Sequence, residues 1–426
     1  MRRVLLASVL LAILAARSLA GQDTTRAVLR LVYDNPKVRP GLVVLPAPGL
    51  DSVRAIVERD LDYSDRFEVI PVSVGTPAPS TPLNFAPYRA MNVALAVEIR
   101  RGGAGVLVRL HDVASGTLRQ ETSASIETAG VGAGRLGVHA LADELVRWAT
   151  GTPGIAASRI LFVSDNRIWR MDSDGYGATA ITPAGRTAYS PAWSPEGRRF
   201  AFTEFVEGKW QVVLQTMATG TRIVFPTTAT TVNITPAFSP DGRRIAFSRV
   251  ADRSFSLHQA NVADLCCVER LTAGRFAENL SPTYSPDGRR IAFVTDRAGS
   301  PQIYAMSADG TDQELLVPYD YGVSGASFAP DWSPDGNTLV FHRGAGGSFQ
   351  VMVFDLATER VRQVTSEGRN EDASWGPDGR HLVFVSNRTG RGQLHVIDLE
   401  TSRVRMIRTP ATALLPAWSR RLGGTP

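Results

Sequence analysis

A chain of 426 residues with 38 glycines, 26 prolines and 43% hydrophobic residues is too long for one ordinary domain and too apolar and turn-rich to be disordered. Its net charge of +5 rests on arginine, because lysine occurs only at Lys37 and Lys209. The arginines are scattered beside 41 acidic residues without a basic cluster interleaved with aromatics, which argues against nucleic-acid binding.

The N-terminus reads as an export signal over residues 1–20: Arg2-Arg3 is the charged region, Val4 to Ala16 the apolar region, and Ser18-Leu19-Ala20 the cleavage site. The apolar run is shorter than the ~20 residues a spanning helix needs. No cysteine lies near it for lipid attachment, so the mature chain is expected to be soluble and exported. Gln22 to Arg26 is polar and short, and Ala27 to Tyr33 alternates like a strand.

Strands are expected at Gly41 to Leu45, Phe67 to Val72, Val93 to Ile99, Val106 to Leu110 and Thr117 to Ile126. Val53, Ile56, Val57 and Leu61 recur at helical spacing after an N-cap at Asp51 or Ser52, and a second amphipathic helix covers Leu136 to Trp148. Residues 21–152 therefore form a small α/β domain.

Residues 153–426 are organised by one repeated stretch. Ser285-Pro286-Asp287-Gly288-Arg289-Arg290-Ile291-Ala292-Phe293 follows Tyr284, and related copies follow Trp193, Phe238 and Trp332. Trp375-Gly376-Pro377-Asp378-Gly379 has one altered residue, and Trp418-Ser419 begins another copy. Pro presets the first turn position, Asp accepts the bend, and Gly takes the left-handed place that follows, so each copy is a β-hairpin. The aromatics lie 45, 46, 48, 43 and 43 residues apart, the length of a four-stranded propeller blade. Ile160-Leu161-Phe162 lacks the strand before it and Pro416-Ala417-Trp418-Ser419 lacks the strand after it. Joining the two fragments gives a multidomain chain: a small α/β domain, then an all-β six-bladed β-propeller whose C-terminal strand closes the first blade.

Catalytic patterns are missing from the sequence. Gly322-Val323-Ser324-Gly325 misses the spacing of a nucleophile elbow, and neither a His-Glu-x-x-His helix nor a phosphate-binding loop occurs. The six histidines are scattered. The repeated Asp241, Asp287, Asp335 and Asp378 fit turn formation better than catalysis. Cys266 and Cys267 read as two small, partly buried residues on an outer strand, and adjacent cysteines pair only through a strained ring. No enzyme, metal or cofactor is expected. The loops before each aromatic strand differ most between copies, which suits partner binding. Their candidate contacts are Thr231, Asn233, Thr235, Phe276, Glu278, Asn279, Ser281, Phe328, Asn370 and Glu371.

Several stretches resemble the TolB family, periplasmic propeller components of the Tol-Pal envelope system. They are Arg39-Pro40 followed by Val43-Val44-Leu45-Pro46, the helix containing Ile56 to Leu61, Ser64-Asp65-Arg66-Phe67, Asn84 to Arg89, Arg109 to Gly116, and Val138-His139 through Asp143. Thr295-Asp296-Arg297-Ala298-Gly299-Ser300-Pro301-Gln302-Ile303-Tyr304 and the terminal Pro-Ala-Trp-Ser extend the similarity over nearly the whole mature chain. The resemblance implies a non-enzymatic, monomeric periplasmic scaffold supporting outer-membrane integrity and constriction at cell division. It implies that the propeller loops bind the lipoprotein Pal, that Gln22, Asp23, Thr24, Thr25 and Arg26 bind TolA, and that other outer-membrane proteins are further partners. It departs from the family at Asn279-Leu280-Ser281-Pro282, where an acidic residue is lost, and at Val232-Asn233, where a His is replaced. The rival readings are an exported propeller hydrolase, such as a lactonase or glycosidase with a channel site, and a carbohydrate- or peptide-binding sensor.

Overall fold

The computed structural model describes residues 39–72, 82–103, 105–125, 134–225, 231–251, 254–263, 266–273, 277–320 and 325–422. The expected export signal, the segment 22–26 and the strand at 27–33 lie outside them. No helix among the described residues is long and apolar enough to cross a membrane.

The α/β domain runs β1 (Gly41–Val44), α1 (Asp51–Tyr63), β2 (Glu68–Val69), α2 (Ala86–Ala90), β3 (Val93–Gly102), β4 (Gly105–Asp112), β5 (Thr117–Ala124) and α3 (Arg135–Thr150). Its sheet has the order β2-β1-β3-β4-β5, with β1 parallel to both neighbours and the remaining pairs antiparallel. The periodic residues Val53, Ile56, Val57 and Leu61 of α1 and Val138, Leu141, Leu145 and Val146 of α3 bury together against Leu42, Val44, Leu95, Val97 and Val108. The other face packs Val43, Leu45, Phe85, Val93, Ala96 and Val113. Leu50, rather than Asp51 or Ser52, occupies the N-cap of α1, and no side chain bonds there. The short α2 forms where the Asn84 carboxamide oxygen accepts the Ala86 N–H at 3.0 Å and Pro87 suits a first helical turn.

Six four-stranded antiparallel sheets follow. The innermost strands of blades 2 to 6 are Thr187–Trp193, Val232–Phe238, Asn279–Tyr284, Ser327–Trp332 and Asn370–Trp375. Blade 1 takes its innermost strand from the C-terminus: Leu414–Trp418 pairs with Arg159–Ser164, Ala417 opposite Leu161 and Trp418 opposite Ile160. Trp418 is buried, and its indole N–H donates to Ser158 Oγ at 2.8 Å. Phe162, Phe202, Phe247, Phe293, Phe341 and Phe384 occupy equivalent, fully buried places on the second strands, so the repeated apolar triplet is what packs blade on blade.

The repeated turns form as their residues dictate. In the third copy the Gly288 N–H reaches Ser285 O at 2.8 Å and Gly288 has φ 73°. Asp287 accepts the Ser285 hydroxyl at 2.6 Å and the Arg289 N–H at 3.0 Å. Those bonds, the hydroxyl's first, hold the Asp287 pKa below the ordinary carboxylate value. The aspartates of the regular copies are thus occupied by their own turns.

A further regularity was not anticipated. Ser190, Thr235, Ser281, Ala329, Asp372 and Leu415 all have φ between 48° and 53°, one per blade, at a bulge in the innermost strand. Proline follows in five of the six, at 191, 236, 282, 330 and 416, with Ala373 in blade 6. Proline is tolerated there because the innermost strand is the edge that faces the channel and needs no donor on that side.

Candidate functional site

The first strand of each blade begins on one face of the ring and ends at the Ser-Pro-Asp-Gly turn on the other. We call the first the open face and the second the docking face, since the α/β domain sits against the turns of blades 1 and 6.

On the open face, three candidate residues are internal anchors. Asn233, Asn279 and Asn370 are buried. Their carboxamide oxygens accept from Arg249 at 3.0 Å, Arg297 at 3.1 Å and Arg388 at 3.1 Å. Ser327 takes the same place in blade 5 and accepts from Arg343 Nε at 2.9 Å. Each guanidinium also lies 5.0–5.7 Å from the centroid of the blade's core phenylalanine. Burial pushes the pKa of all four arginines down. These asparagines shape the loops and do not themselves present a contact. Thr235 and Ser281 are the left-handed bulge residues, Thr235 donating its N–H to Thr203 Oγ1 of the previous blade at 3.0 Å. Thr231 is half-buried beside them. Glu278 accepts the Phe255 N–H at 2.7 Å and so ties blade 4 to blade 3. Phe276 lies outside the described residues.

Phe328 and Glu371 belong to one group, linked through Phe349 and Arg369. Phe328 packs on His342 and Phe349 at ring separations of 5.7 and 5.8 Å. Arg369 lies 4.9 Å over Phe349 and forms a fork with both Glu371 oxygens at 2.6 and 2.7 Å. This group borders a groove of 1080 Å³ between blades 5 and 6, lined by Gly346, Gly347, Phe349, Gln350, Arg369 and Asn387. Burial lowers the His342 pKa to about 4. Its Nδ1 accepts the Asp372 N–H at 3.1 Å, which makes it a neutral hydrogen-bonding strut at neutral pH. The result is an aromatic and amide-rich groove with a fixed guanidinium, a surface suited to holding a polypeptide.

The central cavity of 770 Å³ is walled by the proline and aromatic ring. Among the described residues its one lining carboxylate is Asp331, which accepts the Trp375 N–H at 2.9 Å and whose pKa burial raises to about 6.

The docking face carries what sequence reasoning missed. Asp65, at the end of α1, is 2% exposed and accepts from His381 Nε2 at 3.2 Å, Arg403 at 2.9 Å and Arg405 at 3.4 Å. Arg403 also grips Asp62 at 3.0 Å. His381 Nδ1 bonds Asp378 at 2.7 Å. Asp378 is available because Gly376 replaces the turn serine, so no hydroxyl occupies the carboxylate. Burial works to raise the Asp378 pKa, but the His381 imidazolium outweighs it and holds it low. A second contact joins α3 to blade 1: His139, fully buried, lies 2.6 Å from Asp60 and 3.8 Å from Asp172, while Arg135 bonds Asp172 and Asp174 at 3.2 and 2.5 Å. Burial alone would lower the His139 pKa, but its hydrogen bonds to Asp172 and Asp60 raise it to about 9. Asp143 of α3 accepts the Ala156 and Ala157 N–H groups at 2.8 and 3.0 Å and meets Arg421 at 3.3 Å, binding helix, linker and C-terminus at one carboxylate.

Two groups here, Asp65/His381/Asp398 and His139/Asp172/Asp174, have the donor atoms of metal sites. Their carboxylates already face guanidinium groups: Arg403 and Arg405 on Asp65, Arg380 on Asp398, Arg135 on Asp172 and Asp174. Cation charge is supplied from within the chain, and the groups act as a clamp between domains. Cys266 and Cys267 also differ from expectation. They lie in the turn before the outer strand Glu269–Arg270 and are bonded to each other.

Comparison with known proteins agrees with this architecture. The crystal structure of TolB from Acinetobacter baumannii superposes with a TM-score of 0.78 at 24% identity, over 90% of this chain and 97% of that one, and shares its fold. The Tol-Pal system protein TolB of Methylococcus capsulatus is 32% identical over 186 residues, 40% of this chain and 43% of that protein. That of Xanthomonas oryzae pv. oryzae is 30% identical over 203 residues, 42% and 46% of the two chains. In sequence, therefore, this chain matches less than half the length of these curated relatives. The TolB beta propeller domain profile matches residues 146–422, well over half of the chain, and the chain belongs to that family.

Proposed function

We propose that this protein is a non-enzymatic periplasmic scaffold of a Tol-Pal system, exported by residues 1–20, with an α/β domain over 21–152 and a propeller over 153–426. In this reading the open face binds a peptidoglycan-associated lipoprotein of the Pal type and residues 22–26 engage TolA. The complex then supports outer-membrane integrity and constriction at division. The observation that carries it is the arrangement of the two faces. The α/β domain is clamped by buried ion pairs to the turns of blades 1 and 6, and the opposite face keeps a 1080 Å³ groove edged by Phe349 and Arg369. The relatives named Tol-Pal system protein TolB support the same reading. The acidic residue lost at Ser281 and the fork of Glu371 with Arg369 favour blades 5 and 6 as the binding edge in this reading.

The test is capture from a detergent-solubilised envelope extract of the producing bacterium with the mature protein as bait. The expected result is recovery of an OmpA-like lipoprotein, identified by mass spectrometry, that falls sharply with Phe349→Ala. Equal recovery by the variant, or no lipoprotein with either bait, overturns the proposal.

A further inference from the structure

The two cysteines take no part in the core, the channel or the domain clamp, yet the structure joins them. The Cys266–Cys267 disulfide lies in the turn between the third strand of blade 3, Ser254–Asn261, and its outer strand, Glu269–Arg270. A disulfide removes entropy from the unfolded chain according to the length of loop it closes, and adjacent residues close the shortest loop available. The bond is therefore a poor staple for the fold.

Its surroundings suit exchange instead. Cys267 is exposed and Cys266 is half-buried. Asn261 Nδ2 donates to Cys266 Sγ at 3.4 Å, and the Asn261 N–H reaches Cys266 O at 3.2 Å, so the turn itself holds the amide on that sulfur. A thiolate attacks the sulfur it can reach and expels the sulfur that better carries negative charge. Both criteria choose the same polarity: Cys267 is attacked and Cys266 leaves.

We propose that Cys266–Cys267 is a thiol–disulfide exchange site whose partner is a dithiol reductant. A partner thiolate attacks Cys267 Sγ, and the bond between the two Sγ atoms breaks. Its electron pair goes to Cys266 Sγ, where the Asn261 amide holds the charge until a proton arrives from water. The partner's second thiolate then attacks the mixed disulfide, releases Cys267 as a thiolate and leaves as an intramolecular disulfide. Two electrons pass from partner to protein. An oxidised partner reverses the sequence, favoured by thiols fixed on neighbouring residues. Cys267 has φ 58°, a left-handed value unfavourable for a residue with a side chain, so opening the ring lets the approach to Glu269–Arg270 relax.

The full-length protein is treated with maleimide before and after reduction. Separately, it is pulsed with glutathione as a monothiol probe, acid-quenched, alkylated with iodoacetamide and mapped by mass spectrometry. No maleimide uptake before reduction and uptake at both cysteines afterwards is expected, with glutathione on Cys267 and the alkyl group on Cys266. Asn261→Ala should slow adduct formation about threefold, since it makes the leaving sulfur a poorer one, while the melting temperature stays unchanged. Labelling of both cysteines without reductant, no adduct, an adduct on Cys266, or an unaltered rate in Asn261→Ala each overturns the proposal.

Discussion

Asp65 is the carboxylate on which the domain clamp turns, and Asp65→Asn isolates its charge. Asparagine keeps the shape and accepts the left-handed backbone, φ 55° at this position, so the substitution adds no steric or conformational burden. It leaves His381 and Arg405 facing a neutral group in a buried place, with Arg403 held by Asp62 alone. Removing one partner from a buried, hydrogen-bonded pair costs about 3–5 kcal/mol, because the remaining charge keeps its desolvation penalty without its compensation. The retained Asp378 and Asp62 contacts favour the lower end. A loss of that size lowers the melting temperature on the order of 10 °C for a unit this large. Scanning calorimetry is the assay of choice, because a weakened clamp should also separate the α/β domain from the propeller into two transitions. The cycle with Arg405→Met, which removes a largely buried cation whose carboxylate is Asp65, makes the reasoning strict. If stranded cations cause the loss, deleting one of them lessens it, and the double variant is destabilised by less than the sum of the singles. A single transition within 2 °C of wild type, or strict additivity, refutes the argument.

Other outcomes follow from the same contacts. His139, raised to about 9 in the folded protein, contributes stability that is fully present below its unfolded value of 6.5 and is lost as pH rises through 9, about 3 kcal/mol in all. Denaturant titrations at pH 6 and pH 10 should show this fall, and His139→Gln should flatten it. Asp172, held down to about 2 against the opposing effect of burial by His139 and Arg135, gives the acid limb: its contribution is present above pH 3.8 and lost as pH falls through 2. Trp418→Ala empties a buried place in the closing strand and removes the indole donor to Ser158 Oγ, so a loss of about 3–5 kcal/mol is expected in urea unfolding. Deleting residues 414–426 should lower the thermal transition further, and an unchanged transition would contradict closure of blade 1 by the C-terminus. Glu371→Ala frees Arg369 from its fork on the open face. It should change partner affinity severalfold in a titration while moving stability by less than about 1 kcal/mol, as exposed ion pairs do.

What was legible in the sequence was what is local. The Ser-Pro-Asp-Gly turn is specified by four adjacent residues, and its recurrence counts the blades, so the six-bladed ring and its closure could be read before any coordinates. The helices at Asp51–Tyr63 and Arg135–Thr150 were legible for the same reason, as their apolar residues repeat within one turn of each other. The blade 6 half of the clamp joins residues more than 300 positions apart, Asp65 to Arg403 among them, and no local period reports such a contact. A signal did exist in the outer strand Val404–Ile407. There Val404 and Met406 are 37% and 41% exposed while Arg405 turns inward over Tyr63, a reversal of the usual pattern. Asn233, Asn279 and Asn370 misled because a polar residue in a variable loop looks like a contact. Their arginine partners lie 16 to 18 residues away, on the next strand for Arg249 and just past its end for Arg297 and Arg388.

The departures from the repeat are concentrated where the propeller is used. Blade 6 differs from the others at its turn, with Gly376 for serine, and at its bulge, with Asp372-Ala373 where each of the other five blades has a non-acidic residue followed by proline. The first change releases Asp378 to hold His381 against Asp65. The second places Asp372 under His342 and beside Glu371 at the groove. Both lie on or just beyond one strand, Asn370–Trp375, which runs from the open face to the docking face. A regular blade needs only to pack against its neighbours. This one also holds the α/β domain at one end and borders the groove at the other, and the two jobs account for the two irregularities.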